Sequence, residues 1–271
     1  MIQIDCSRCI GCKTCIKDCF PGALTLLENV ATLSSPDSCI GCGHCIAVCP
    51  RDAVSDDSLQ MDDIMAVKQN PVNSDNMLAL MRARRSCRHY KKDTVPEPVW
   101  RLLIEASRAC PTAKNLQGTR YIVVTKQIPK LLDCALSTLR KLGEAQLSAA
   151  KDPNEIRRAK NFIRWNKLHR EDKDFDPLFF HAPMLLLFVA TAETACDAAS
   201  GAAYAELMAA SLGLGCLYSG YFTACIANSP ELKSILNLSE AEQAIRCLVV
   251  GYPDITFRKT DPRKTPQITM L

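Results

Sequence analysis

No stretch of this 271-residue chain is apolar enough to span a bilayer. The longest unbroken apolar run is MLLLFVA from Met184, whereas a membrane helix needs about 20 such residues. The opening MIQIDCSRC has neither a basic segment nor an apolar one of the kind a secretory leader carries, so the expected location is the cytoplasm. There is also no long basic run with interleaved aromatics, and nucleic acid is therefore not the expected partner. Hydrophobic residues at 48% and charged residues at 23% describe a folded globular protein rather than a disordered or fibrous one. The length suits one full-sized domain with a small module attached.

What the chain does have is cysteine, and in an uneven distribution. Nine of its sixteen cysteines fall within the first fifty residues. CIGCKTCIKDC from Cys9 and CIGCGHCIAVC from Cys39 repeat the spacing C-x2-C-x2-C-x3-C, the second copy followed by Pro50. Structural zinc sites draw on separated cysteine pairs, not on three thiolates within seven residues. The spacing is instead that of bacterial two-cluster ferredoxins, in which three thiolates hold one cubane and the fourth reaches across to the other. Cys9, Cys12, Cys15 and Cys49 are the expected ligands of one [4Fe-4S] cluster, and Cys39, Cys42, Cys45 and Cys19 of the second. Gly11 and Gly41 fall where the backbone turns tightly against a sulfide. Phe20 stands where the pattern carries proline, which is displaced to Pro21. With both clusters saturated, Cys6 and His44 are expected to be bystanders. The reducing cytosol suits this use of cysteine, and clusters with exposed sulfurs call for anaerobic handling.

Charge divides along the same line. Residues 1–60 hold four Lys/Arg against seven Asp/Glu, a net of −3, which leaves +7 for the rest of a chain whose total is +4. A basic body suits an acidic redox module or an anionic cofactor.

Residues 55–76 turn polar and mark the boundary. VPEPVWRLLIEASRAC beyond them reads as an amphipathic helix with Val99, Leu102, Leu103, Ala106 and Cys110 on one face. RYIVVT (120–125), MLLLFVA (184–190) and CLVVG (247–251) suit buried central strands. ACDAASGAAYAELMAASLGLG reads as a helix ending at Gly213 or Gly215, its small side chains permitting close packing on the sheet or across a dimer. Mixed helices and strands give an α+β expectation.

At 81–90 the sequence is MRARRSCRHY. Arg84, Ser86 and Arg88 alternate around Arg85, so that three donors can converge on a phosphate, arginine through its bidentate fork and serine through its hydroxyl; alone, such a cluster more often describes a solvated helix face. Its context is more specific, because the segment from RRSCRHY to TRYIVVT resembles the opening of the nitroreductase family of FMN enzymes. Pro111, Thr112, Asn115 and Gln117 match that family's P-S/T-x-x-N-x-Q loop. GLGCLYSGYF resembles its glycine segment, with Ser219 and Gly220 at the positions near flavin N5. VVGYPDITFRKTDPRKTP resembles its closing strand, turn and basic tail, with Arg263 and Lys264 completing the phosphate site. Gly118-Thr119 replaces the family's usual Pro-Trp.

The whole chain thus resembles a ferredoxin–nitroreductase fusion. The implied domains are 1–60 for the two-cluster module, 61–76 for a linker and 77–271 for an α+β flavin domain with a central sheet flanked by helices. The resemblance implies a homodimer with FMN at the subunit interface, a redox partner such as ferredoxin, and a small organic acceptor such as a nitroaromatic, quinone or enone. Flavin N5 does the chemistry, and no protein nucleophile is called for; Cys110 and Cys216 are expected to be buried thiols. GLG follows a helix rather than a strand, which argues against a dinucleotide site. Phe162, Trp165, His169, Phe175, Phe179 and Phe180 lie where the family's variable helical part covers the flavin, and serve as lid or core. Two other functions fit the same resemblance: a non-catalytic electron relay or redox sensor, and an NAD(P)H-dependent nitroreductase with an accessory ferredoxin module.

Overall fold

The computed structural model describes residues 1–67 and 72–271; residues 68–71 of the expected linker lie outside the described residues. The chain divides into two compact units, Met1–Pro71 with Thr112–Leu116, and Val72–Pro111 with Gln117–Leu271. Among the described residues no helix is long and apolar enough to cross a membrane.

The first unit is a pseudo-symmetric pair of half-modules. Strand β1 (Ile2–Ile4) leads to the one-turn helix α1 (Thr14–Asp18), then to β2 (Leu24–Leu27) and β3 (Val30–Leu33). Helix α2 (His44–Ala47) and strand β4 (Val54–Asp56) complete it. β2 and β3 form a hairpin whose two turn residues, Glu28 and Asn29, are both left-handed at φ 48° and 64°, the geometry that a two-residue turn needs to match strand twist. β1 pairs antiparallel with β4, Ile2 opposite Asp56. Each short helix follows a left-handed residue, Lys13 at φ 66° or Gly43 at φ 72°. The small core of Ile2, Leu24, Ala31 and Val54 includes Cys15 and Cys45, so ligand cysteines share in the packing.

The second unit opens with α3 (Ser74–Ala83), capped by Asn73, and α4 (Glu97–Arg108). β5 (Arg120–Val124) follows, then the long helices α5 (Ile128–Ala149) and α6 (Pro153–Glu171), β6 (Met184–Ala190) and α7 (Ala195–Ser211). β7 (Gly215–Tyr218), α8 (Gly220–Ala227), α9 (Pro230–Ile235) and β8 (Gln243–Gly251) close the order. The four strands form one antiparallel sheet in the order β5-β6-β8-β7.

Helices cover both faces of this sheet, which explains the unbroken apolar run in β6. Side chains alternate faces along a strand. Leu185, Leu187 and Val189 pack with α5, α6 and α8 residues such as Leu136, Phe162 and Phe222. Met184, Leu186, Phe188 and Ala190 pack on the other side with Leu103, Ala198, Ala202 and Ala205. All seven are buried, so no position along the strand is left for a polar residue. The small residues of α7 serve packing within this unit: Ala198, Ala202, Ala205 and Ala209 face the sheet, and a Cβ on Gly201 would lie 2.4 Å from Ser107 Oγ on α4.

The structure corrects some of the sequence-based details. On α4 the buried face carries Leu103 and Ser107, while Leu102 is exposed. β8 begins four residues before the CLVVG run, at Gln243. β7 is an additional short strand inside the GLGCLYSGYF segment. Of the aromatics expected to serve as lid or core, Phe162 and Phe179 are core residues. His169 is buried, its ring nitrogens 2.8 Å from the Phe175 carbonyl and 2.8 Å from Asp133 Oδ1, a tie between α5 and α6.

Candidate functional site

The thiols of the first unit stand around two separate hollows. One is lined by Cys9, Cys12, Cys15 and Cys49, with Ala31 and Val54 among its apolar neighbours. The other is lined by Cys39, Cys42, Cys45 and Cys19, with Ile2, Leu24 and Leu33. Each set is three consecutive cysteines of one motif and the last cysteine of the other. Among the described residues no three His, Cys, Asp or Glu side chains converge on a point that would hold a single metal ion. Four thiols around a space suit a multi-atom cluster.

Hydrogen bonds to sulfur support the same reading, because donors stabilise thiolate charge. Ala23 N–H donates to Cys19 Sγ and Ala53 N–H to Cys49 Sγ, both at 3.3 Å, one on each side of the pseudo-twofold. Ala31 N–H donates to Cys9 Sγ at 3.5 Å, and Thr14 Oγ1 to Cys12 Sγ at 3.4 Å, which lowers the Cys12 pKa. Burial raises Cys15 and pushes Cys45 up to about 11; metal coordination overrides such a penalty by deprotonating the thiol outright. Cys6 is exposed and lines neither hollow. His44 borders the second, with its ring nitrogen 3.0 Å from Asp18 Oδ2.

The sequence-predicted flavin residues are partly gathered in the second unit. The RRSCR segment leaves the end of α3 and runs along the edge of β7: Ser86 forms an isolated parallel bridge with Cys216, and Cys87 N–H donates to the Cys216 carbonyl at 2.9 Å. The approach is close, since a Cβ on Gly215 would lie 2.7 Å from Cys87 Cβ. Ser86 and Arg88 are exposed. Arg85 and Arg263 converge on one carboxylate, Asp261, at 2.8 and 3.4 Å, and Arg85 also stacks over the Phe257 ring. Lys264 follows in the exposed tail.

Ser219 is buried at the start of α8, where its N–H donates to the Cys247 carbonyl at 2.9 Å and its Oγ to the Leu178 carbonyl at 3.4 Å. Gly220 beside it is exposed, with nothing within 4 Å of where a Cβ would stand. That leaves room for a flat ring to approach the backbone. Pro111 and Gln117 belong to the second unit and are exposed, whereas Thr112 and Asn115 group with the first, in which Asn115 Nδ2 donates to the Gly41 carbonyl at 2.9 Å. The Arg85 and Arg263 forks, the exposed Ser86 hydroxyl and the open backbone at Gly220 are donors of the kind a flavin phosphate and ring accept.

Three residues near these positions were not singled out from sequence. Glu206 on α7 is buried and accepts from Arg84 Nη1 at 3.3 Å; burial raises its pKa against the lowering effects of Arg84 and Tyr218. As the acidic member of a buried face otherwise made of alanine and glycine, it carried a visible signal. Asp261 sits within the basic tail. Tyr221, directly after Gly220, makes edge contacts with Phe162 at 5.1 Å and Trp165 at 5.8 Å between ring centroids. Cys110 and Cys216 are buried, and burial pushes both thiols up, which disfavours the thiolate a nucleophile needs.

Comparison with known proteins adds the following. The nitroreductase family model matches residues 81–252, and a 4Fe-4S dicluster domain model matches residues 8–53. A component of the ion-translocating oxidoreductase complex of Methanosarcina acetivorans is 44% identical over 46 residues, which span 17% of this chain and 17% of that protein. A nitroreductase with bound FMN from Bacteroides fragilis superposes with a TM-score of 0.54 at 19% identity, over 74% of this chain and 100% of that one. A nitroreductase with bound FMN from Desulfitobacterium hafniense gives 0.52 at 21% identity, over 72% and 97%. At these identities the likeness is one of fold.

Proposed function

The chain belongs to the nitroreductase family of FMN-dependent oxidoreductases and carries an iron–sulfur domain, and we propose that it converts single electrons from a low-potential donor such as a ferredoxin into two-electron reduction of an organic acceptor. The observation that carries this reading is the pair of four-thiol hollows, each completed by the last cysteine of the opposite motif. The proposed division is 1–60 for the cluster module, 61–76 for the linker and 77–271 for the flavin domain.

When bound, two [4Fe-4S] clusters would supply one-electron chemistry and FMN two-electron chemistry at N5. The protein supplies binding, orientation and charge. The eight ligand cysteines hold the clusters in the crossed sets given above. Arg85, Arg263 and Lys264 take the phosphate, and Arg84, Ser86 and Arg88 the adjoining polar edge of the ring system. Pro111 and Gln117 contribute to the site from the second unit, and Ser219 with Gly220 presents backbone to the N5 region. Guanidinium groups and backbone donors stabilise negative charge that the ring gains on reduction. Trp165 and the 44%-exposed Tyr221, next to Gly220 in sequence, support a flat acceptor such as a nitroaromatic, quinone or enone.

A homodimer is part of the proposal. Helix α3 buries none of its residues and exposes Met77, Leu78 and Met81, and the tail exposes Phe257, Ile268, Met270 and Leu271. Apolar surface of this extent is what an assembly covers. The test is cofactor content after anaerobic reconstitution: about eight iron atoms and one FMN per chain are expected. Cys39→Ser should remove about half of the iron and leave FMN in place. Four iron atoms in the unaltered chain, or flavin lost together with the cluster, would contradict the assignment.

A further inference from the structure

Two carboxylates meet the arginines of the flavin segment, and they differ in kind. Glu206 projects from the middle of α7, with Gly201, Ala202, Ala205 and Ala209 buried around it, so its hold on Arg84 is part of the fold. Asp261 lies beyond β8, where the chain has no helix or strand, and its side chain is about one quarter exposed, at 23%. The segment that carries it is tied back at its start by the backbone bonds from Lys91 N–H to the Tyr252 carbonyl and from Asp254 N–H to the His89 carbonyl, both at 2.8 Å, and beyond them side chains hold it, Arg85 stacking over Phe257 and pairing with Asp261. Asp261 therefore turns away without breaking a ladder of backbone bonds. Both of its guanidinium partners, Arg85 and Arg263, belong to the set that the proposed function assigns to the phosphate.

We propose that Asp261 is a competing anion at the phosphate site, one that a flavin phosphate must displace from Arg85 and Arg263. The inference rests on the reading of those two arginines as phosphate ligands. A phosphate monoester and a carboxylate seek the same guanidinium forks, and two anions held on one pair of arginines repel each other. Asp261, like any aspartate, is ionised at neutral pH, and the Arg85 hydrogen bond lowers its pKa further. Asp261 thus lowers the affinity for phosphorylated flavin specifically, makes that flavin exchangeable, and leaves the ring contacts untouched.

The test compares FMN with riboflavin, which has the same ring and no phosphate, by fluorescence titration of the full-length chain stripped of flavin. Asp261→Asn should tighten FMN about tenfold, the equivalent of one charge-assisted hydrogen bond no longer displaced, and leave riboflavin unchanged. Arg85→Ala and Arg263→Ala should each weaken FMN and not riboflavin. If these arginine variants bind FMN as the unaltered chain does, the phosphate assignment fails and this inference with it. If they weaken FMN but Asp261→Asn leaves it unchanged or weakens it, Asp261 is a positioning residue and only the competition is refuted. Thermal melting of each variant in the absence of flavin separates binding effects from misfolding.

Discussion

Gly11 and Gly41 occupy equivalent positions in the two cluster motifs and have nearly the same left-handed backbone, φ +63° and φ +59°. Their surroundings differ. A Cβ on Gly11 would stand 2.4 Å from the Asn29 carbonyl oxygen and 3.3 Å from its carbon, atoms of the β2–β3 turn backbone. A Cβ on Gly41 would meet nothing within 4 Å. Alanine at either site incurs the left-handed penalty of about 1–2 kcal/mol. At Gly11 a second cost follows, because the hairpin must move away, and overpacking of this kind costs about 1–3 kcal/mol. Gly11→Ala should therefore be the more damaging by roughly that second amount, and the damage should fall on the Cys9–Cys12–Cys15–Cys49 hollow that the loop shapes. Anaerobically reconstituted Gly11→Ala is expected to retain about half of the iron, and Gly41→Ala nearly all of it. Iron analysis with thermal melting reads both effects. Equal losses in the two variants would refute the argument, since their backbone strain is shared and only the steric surroundings differ.

Gly201→Ala should destabilise the flavin domain by about 1–3 kcal/mol through the clash with Ser107 Oγ, and Ser107→Ala in the same chain should recover part of that loss in a double-mutant melting experiment. The Arg120 guanidinium holds Glu242 down to about 2 from its ordinary 4.5. Its folded value being depressed, the pair's stabilisation is complete above about pH 4.5 and is lost as pH falls toward about 2. Glu242→Gln should accordingly melt earlier than the unaltered chain at pH 7, with the two curves converging near pH 2. For Glu206 the sign is opposite: a raised folded value means that stability declines as pH rises above the ordinary carboxyl range, and Glu206→Gln should flatten that decline in calorimetric scans.

How far the sequence foretells this molecule depends on whether the signal is local. The cysteines of the two motifs sit at fixed short spacings, so their gathering around two hollows, with Cys19 and Cys49 exchanged, follows from the repeat. Strand β6 is legible because burial on both faces leaves seven apolar residues in a row. β7 escapes notice, as four residues beginning with glycine carry little periodicity and acquire strand character only by pairing with β8. Arg84 and Glu206 are 122 positions apart, and no pattern in either segment announces the other. The basic cluster alone therefore overstates its free positive charge, since Glu206 and Asp261 occupy part of it. The aromatics of α6 stay open between lid and core for a related reason: a helix with charged residues on most of its surface still turns Phe162 into the core, and only tertiary packing decides which ring faces inward.

On the proposed function, electrons enter through the clusters and leave through the flavin. Anaerobic stopped-flow mixing of the reconstituted chain with reduced ferredoxin, and separately with NADPH, follows cluster bleaching and flavin absorbance as distinct signals. The account predicts rapid bleaching with ferredoxin followed by flavin reduction, and slow change with NADPH. Direct flavin reduction by NADPH while the clusters stay oxidised would contradict it.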